Sequence, residues 1–387
     1  MNNIKELVTN NIRKFGMIIA LVGIVLIFQV LTSGILLTPL NITNIIMQNS
    51  YVIILAIGMV LVIITGEIDL SVGSVAAFVG AIAGTLMITW ELPVSLSIVL
   101  SLLVGAIIGA WQGFWVAYVK VPAFIVTLAG MLLFRGLTMV VLNGRTLAPF
   151  PNSFRLMSSE FLPDLFNGSG YNIMALVVGA IAIVLFIYNE VRVRKMKAMF
   201  NQNELAYPLF LTKIIVIAVI IGLFTERLAV YAGIPYILII LVALIAGYTF
   251  FMSKTIPGRH VYAVGGNEKA AKLSGVKSQK IKFWIYVNMG VLAALAGLVF
   301  TGRLNAATPQ AGNLFELDAI AATVIGGASL TGGVGTAIGA LIGALIMGVL
   351  NNGMSLLGVG IDWQQAIKGL VLLGAVAFDI INKKRNG

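Results

Sequence analysis

The chain contains no cysteine and one histidine, His260. Disulfides, thiolate metal centres and cysteine nucleophiles are therefore excluded. Charge is scarce as well: 10% of the residues are Asp, Glu, Lys or Arg, where soluble domains carry roughly 25%. Acids are the rarer sign, 14 against 25 bases. The sequence has no G-x-x-x-x-G-K-[ST] loop to cradle a nucleotide, no H-E-x-x-H, no G-x-S-x-G and no metal-ligand cluster. His260 stands in a basic stretch and reads as a solvated loop residue. The sequence thus predicts no catalytic residue, no metal and no cofactor.

What fills the chain is apolar. Of 387 residues 59% are hydrophobic, and the mean hydropathy is +1.03. The net charge of +11 would suggest nucleic acid for a soluble protein; here it reads as membrane topology. Apolar runs of bilayer length fall near 16–37, 45–65, 71–89, 94–118, 122–142, 171–189, 212–231, 234–251, 283–301, 333–351 and 362–381. The first is too long for a signal-peptide core and is kept as a span. A glycine-rich run at 317–330 is either one more crossing or part of a re-entrant pair. The expected fold is all-α, a polytopic transmembrane bundle of about 10–12 spans with one broken or re-entrant, forming a single transmembrane domain over 1–387. Placing both termini in the cytoplasm gathers most basic residues on that side: Lys5, Arg13, Lys14, Lys120, the group from Arg192 to Lys213, the 252–282 island, and Lys383, Lys384 and Arg385. A polar loop at 143–170 then lies outside.

Glycines repeat at spacing four in Gly105, Gly109 and Gly113, in Gly80 and Gly84, and in Gly335, Gly339 and Gly343. Such ridges let helices approach closely in lipid. The segment Gly66-Glu67-Ile68-Asp69-Leu70-Ser71-Val72-Gly73-Ser74 sets two acids between spans, where they need water, a cation or free N–H groups. Asp69 or Ser71 suits the cap of a helix starting near Leu70, and the group reads either as a structural turn or as a gate. From Asp318 to Thr336, Gly326-Gly327 and Gly332-Gly333 interrupt an apolar run. Asn351, Asn352 and Asp362 follow, and Gln48, Asn49, Gln112, Asn288 and Asn305 add amides elsewhere. Uncharged amides suit a path for a polyhydroxylated neutral solute, although for each one singly an interhelical hydrogen bond is the simpler reading. Glu67, Asp69, Ser71, Asp318, Asn351 and Asn352 are the candidate pathway or gate residues. Arg135 and Lys368 are expected to snorkel or to pair with an acid such as Asp318 or Asp362. Trp111, Trp115 and Trp363 suit interfacial anchoring or, alternatively, stacking on a sugar.

The 252–282 island carries the densest local signal. Asn267 is a good N-cap, Glu268 suits a first helical turn, and Gly275 suits a left-handed stop. Between them Ala270, Ala271 and Leu273 make an apolar face too small to build a domain. A short capped helix on a basic membrane face needs something to dock against.

These residues carry a resemblance. GRHVYAVGGNEKAAKLSGV from Gly258, GEIDLSVGS from Gly66, VPAFIVTLAGMLLFRG from Val121 and AGNLFELDAIAATVIGGASLTGGVGT from Ala311 resemble the permeases of monosaccharide ABC importers, the ribose, galactose and xylose group. Gly66-Glu67 stands where that family usually has two glycines. With the extra spans around the basic 190–213 loop, this looks most like the D-xylose and multiple-sugar branch. The resemblance implies a bacterial cytoplasmic-membrane protein working with a separate ABC ATPase and an extracytoplasmic sugar-binding protein, as a homodimer or paired with a sister permease. It also implies an ATPase-coupling role for Asn267, Glu268, Ala270, Ala271, Lys272, Leu273 and Gly275. The rivals are an ion-coupled secondary transporter, a non-transport membrane subunit, and an ABC permease for branched-chain amino acids or nucleosides.

Overall fold

The structure, a computed structural model, describes residues 12–386 except 167, 169 and 201–205, with side chains placed over 16–377. Lys5 and the side chains of Arg13, Lys14, Lys383, Lys384 and Arg385, all used for the expected orientation, lie outside the described residues. Among the described residues fifteen α-helices follow one another: α1 (Ile12–Leu31), α2 (Pro39–Ile64), α3 (Val72–Gly84), α4 (Val94–Phe114), α5 (Ala123–Leu142), α6 (Asn152–Ser159), α7 (Ile173–Met199), α8 (Tyr207–Tyr231), α9 (Tyr236–Lys254), α10 (Ile256–Gly266), α11 (Glu268–Leu273), α12 (Ser278–Leu304), α13 (Phe315–Ile325), α14 (Ala337–Leu356) and α15 (Ile361–Asn386). Single π-helical turns, Thr85–Thr89 and Trp115–Val119, extend α3 and α4. Among the described residues 9 helices are long and apolar enough to cross a membrane, and Gly16–Leu31 of α1 adds a shorter apolar stretch.

The chain forms two compact units. The smaller comprises 37–44 and 160–236. Its centre is the α7–α8 hairpin, where Gly179 abuts Thr225 and Lys213 Nζ meets Glu190 at 2.7 Å. Asn172 caps α7 by accepting from the Ala175 N–H at 2.9 Å. Ile220 and Leu223 of α8 are exposed, as befits side chains that face lipid.

In the larger unit α2, α3 and α12 supply long buried stretches, from Val52 to Ile64, Val72 to Met87 and Ile285 to Val299. Their contacts are close because small residues line them. A Cβ on Gly109 of α4 would fall 2.3 Å from the Tyr286 carbonyl oxygen of α12, and one on Gly290 would fall 2.2 Å from that of Gly105. The spacing-four ridge of α4 is therefore a packing surface, as the sequence predicts. The third ridge needs correction. Gly335 precedes α14, and only Gly339 and Gly343 lie on the helix, against Gly326 and Ala322.

Two elements are interrupted inside this unit. Gly297, in the last third of α12, packs on Ala76 near the start of α3, and Thr301 packs on Gly80. α3 thus runs parallel to α12 but begins partway along it. The chain leaves α2 at Ile64, folds back through 65–71 and starts the new helix at Val72, two residues later than expected. The second break follows α12. Ala307 exchanges two backbone hydrogen bonds with Leu147, beside the far end of α3. The segment then runs irregularly inward, and α13 starts at Phe315, whose ring stacks on Tyr51 at 4.0 Å and meets Phe300 at 5.0 Å. After the eleven residues of α13, about 16 Å of rise, a turn carries Gly333 to the end of α2, where its N–H bonds Ile64 O at 2.8 Å. The stretch 305–325 is thus half irregular and half helical, and with the turn at 326–333 it connects opposite ends of the bundle. This is a broken crossing, tolerable because protein covers the irregular half.

Candidate functional site

The start of α3 and the start of α13 meet. A Cβ on Gly73 would lie 2.3 Å from Gly312 O and 2.4 Å from Glu316 Oε2, so only glycine admits this approach. Glu316 and Asp318 occupy the first turn of α13, where a carboxylate complements the helix dipole. Asp318 accepts from Lys368 of α15 at 2.9 Å, one of the pairings expected for that lysine. Glu316 is buried, and its Oε2 has no hydrogen-bond partner among the described residues. Arg135 differs from expectation. Its guanidinium donates to Ala311 O at 3.0 Å and to Gly312 O at 3.3 Å, so it holds the irregular backbone rather than an acid.

Asp69 and Ser71 form a turn, with no side-chain cap on α3. Asp69 Oδ1 accepts from the Ser71 N–H at 2.8 Å and from the Ser71 hydroxyl at 2.7 Å, while Ser71, at the cap position, makes no capping bond. Gln112 of α4 donates to Ser71 Oγ at 2.7 Å, tying the turn to a neighbouring helix. The carboxylate holds the fold-back of the chain and does not solvate the helix end.

At the end of the unit where α2 stops and α12 starts stands α11. It is six residues long. Asn267 caps it by accepting from the Ala270 N–H at 3.0 Å, and Gly275 (φ +86°) ends it in the left-handed region, as predicted. The apolar face divides: Ala271 is buried, whereas Leu273 is 91% exposed and available to a partner. Lys282 of α12 ties this helix to the membrane bundle. Its ammonium reaches Glu67 at 2.6 Å and Glu268 at 3.0 Å, and Glu268 also pairs with Lys272 at 2.7 Å. The hydrogen bond from Lys272, then that from Lys282, hold Glu268 down to about 2. Because the folded value is depressed, the stability this group adds is present above its ordinary 4.5 and is lost as pH falls toward 2. A cavity of about 310 Å³ lies beside the cluster, lined by Glu67, Lys120, Glu268, Lys272 and Lys282 among others.

α10 joins the same cluster to the broken crossing. Tyr262 donates to Gly335 O at 2.7 Å, and a Cβ on Gly265 would fall 1.6 Å from Ile64 O and 2.8 Å from Gly333 N. Both interrupted elements thus have one end next to α10 and α11. α11 is linked to the 65–71 turn by Lys282, which pairs with both Glu268 and Glu67, and α10 contacts the 326–336 turn through Tyr262 and Gly265.

The amides separate into two groups. Gln112, Asn288 and Asn305 are structural, bonding Ser71, Tyr248 and the Phe150 N–H respectively. Gln48, Asn49, Asn351 and Asn352 converge on one cleft of about 330 Å³, together with Tyr51, Phe300 and Arg303. Asn49 Nδ2 donates to Ala344 O at 2.5 Å, and Gln48 is exposed at the mouth. Trp111 and Trp115 are 38% exposed and Trp363 is 71% exposed, none of them at this cleft. Sequence reasoning named the amides but missed Lys282, Glu316 and Tyr51. Each gains its meaning from a partner remote in the chain; the clue available for Glu316 was its place in a first helical turn after a break.

The chain is similar in sequence to known proteins over nearly its whole length. Residues 41–376 match the family described as branched-chain amino acid transport system / permease component. The chain is 43% identical to the xylose transport system permease protein XylH of Haemophilus influenzae over 375 residues, 97% of this chain and 98% of the relative. It is 40% identical to the protein of the same name from Escherichia coli K12, covering 97% of this chain and 94% of the relative. The ribose import permease protein RbsC of Escherichia coli K12 is 37% identical over 95% of this chain and 93% of its own length. No solved structure matches the chain. A polytopic helical bundle with two interrupted elements, matched over nearly its whole length, belongs to the branched-chain amino acid transport system permease family.

Proposed function

We propose that the chain is the membrane permease subunit of an ABC importer that brings D-xylose or a related monosaccharide into the cytoplasm, with ATP hydrolysed by a separate partner. The observation that carries this reading is the similarity to xylose permeases over 97% of the chain at 40–43% identity. The site adds a route for the driving force. In this reading the α11 face is cytoplasmic, in line with the basic island, and Leu273 with the capped α11 enters the ATPase. Closure of two nucleotide-binding subunits moves α11. Lys282–Glu67 and the α10–Ile64–Gly333 contacts then pass the movement to the two interrupted elements, which need only two packings a few kcal/mol apart. A homodimer forms the pathway, and an extracytoplasmic sugar-binding protein docks on the opposite face around 143–170.

The family description favours a second reading, an amino acid permease. The polar cleft argues against it. Arg303 can meet a carboxylate there, but no Asp or Glu lines the cleft to meet an ammonium group.

Reconstitution decides among these. The chain in proteoliposomes with its ATPase and binding protein takes up labelled D-xylose only when ATP is present on the α11 side. Uptake by the chain alone along an ion gradient establishes a secondary transporter instead. Uptake of leucine in place of sugar establishes the amino acid permease.

A further inference from the structure

We propose that the cleft of Gln48, Tyr51, Phe300, Arg303, Asn351 and Asn352 is a transient binding subsite for a neutral polyhydroxylated solute, occupied between release from the binding protein and passage to the far side. The proposal rests on the functional reading above and extends it by placing the solute on named residues of one protomer.

Three observations carry it. The first is size and place. The cleft is about 330 Å³, within the ordinary range for small-ligand sites, and Gln48 leaves its mouth open. It lies on the halves of α2, α12 and α14 remote from α11, where a solute delivered opposite the ATPase arrives.

The second is chemistry. Amides donate and accept without charge, which suits hydroxyl groups that do both. Gln48, Asn351 and Asn352 line the cleft, so more than one such amide is within reach of a single solute. Arg303 contributes directional N–H groups, and the Tyr51 and Phe300 rings offer an apolar face for the C–H side of a sugar ring. No carboxylate lines the cleft, so neither a cation nor a zwitterion is matched.

The third is the floor. Tyr51 stacks on Phe315 at 4.0 Å and meets Phe300 edge-on at 5.4 Å. Phe315 is the first residue of α13, the helix whose far end is tied to α10 and α11 through the 326–336 turn. The rings close the cleft from below while the helix that carries Phe315 stays in place. A shift of α13 opens it. The subsite is thereby emptied by the same movement that the ATPase drives.

The test uses the complete importer in proteoliposomes, with D-xylose as the probe, and follows sugar uptake and ATP hydrolysis together. With Gln48→Leu or Asn351→Leu, uptake falls about tenfold, the loss expected from one to two hydrogen bonds. Hydrolysis stimulated by the loaded binding protein stays within about twofold, and Asn351→Gln restores most of the uptake. Gln48 is exposed, so its variant tests the site even if Asn351→Leu fails to fold. Unchanged uptake in Gln48→Leu overturns the subsite. Uptake and hydrolysis falling together, without rescue by Asn351→Gln, also overturns it, because the residues then serve packing or docking. A wild-type importer that hydrolyses ATP in response to its binding protein but moves no neutral sugar overturns the functional reading itself.

Discussion

Lys282 is the residue on which the proposed transmission of force from α11 is most exposed to test. Replacing it with Met keeps the length of the side chain and removes its charge. Two charge-assisted contacts are lost, at 2.6 Å to Glu67 and 3.0 Å to Glu268. Each such contact contributes about 1.5–3 kcal/mol when sheltered. Here the three side chains retain 15%, 21% and 35% of their exposure, so solvent screening reduces the pair to about 2 kcal/mol in total. The variant also leaves Glu67 and Glu268 facing each other without a cation between them, which adds repulsion. A linkage weakened by about 2 kcal/mol lowers ATP-driven uptake about thirtyfold if it limits the conformational step. Glu67→Gln removes one contact and leaves Glu268 in place, so a loss of about fivefold is expected. The assay is uptake per ATP hydrolysed in proteoliposomes, with permease content matched by quantitative blotting. The reasoning is refuted if Lys282→Met couples as well as the wild type. It is equally refuted if Glu67→Gln does the greater damage, since the structure assigns Lys282 two partners and Glu67 one.

Gly265→Ala forces a methyl carbon to within 1.6 Å of Ile64 O, a backbone atom, whereas Gly266→Ala meets nothing within 4 Å. Overpacking of this kind costs about 1–3 kcal/mol, so the first variant melts several degrees lower in scanning fluorimetry and the second does not; equal melting points would remove the α10–α2 contact from the argument. Glu268→Arg loses the pairs with Lys272 and Lys282, and Gly275→Pro disturbs the left-handed stop of α11. Both variants insert normally, measured by membrane fractionation, but lose most uptake and ATPase coupling; full uptake in both would count against docking through α11. Asp69→Ala strips Ser71 of its acceptor and is expected to impair uptake or assembly by about 1–2 kcal/mol of turn stability, and full activity would reduce Asp69 to a dispensable turn residue.

How much of this was legible beforehand depends on the range of the interaction concerned. The capped α11 follows from Asn267, Glu268 and Gly275, all within nine residues, and the glycine ridge of α4 follows from helical period alone. The helix ends were less secure. α3 was expected to begin near Leu70 with a carboxylate or hydroxyl cap, yet it begins at Val72, because Asp69 spends its oxygen on the Ser71 N–H and hydroxyl. The sequence puts Leu273 and Ala271 on one apolar face, and only the tertiary packing separates the buried residue from the exposed one.

The sequence by itself determined that this is an all-helical membrane protein with bilayer-length apolar runs, a basic capped helix and glycine breaks near 326 and 332. Those properties depend on local hydrophobicity and on conformational preferences a few residues long. Only the tertiary structure decided that 305–333 is a broken crossing, that Lys282 links Glu67 to Glu268, and that Gln48 shares a cleft with Asn351. Contacts between residues hundreds of positions apart are set by how helices pack, and in lipid that packing is governed by shape and hydrogen bonding rather than by any periodicity a single strand of sequence displays.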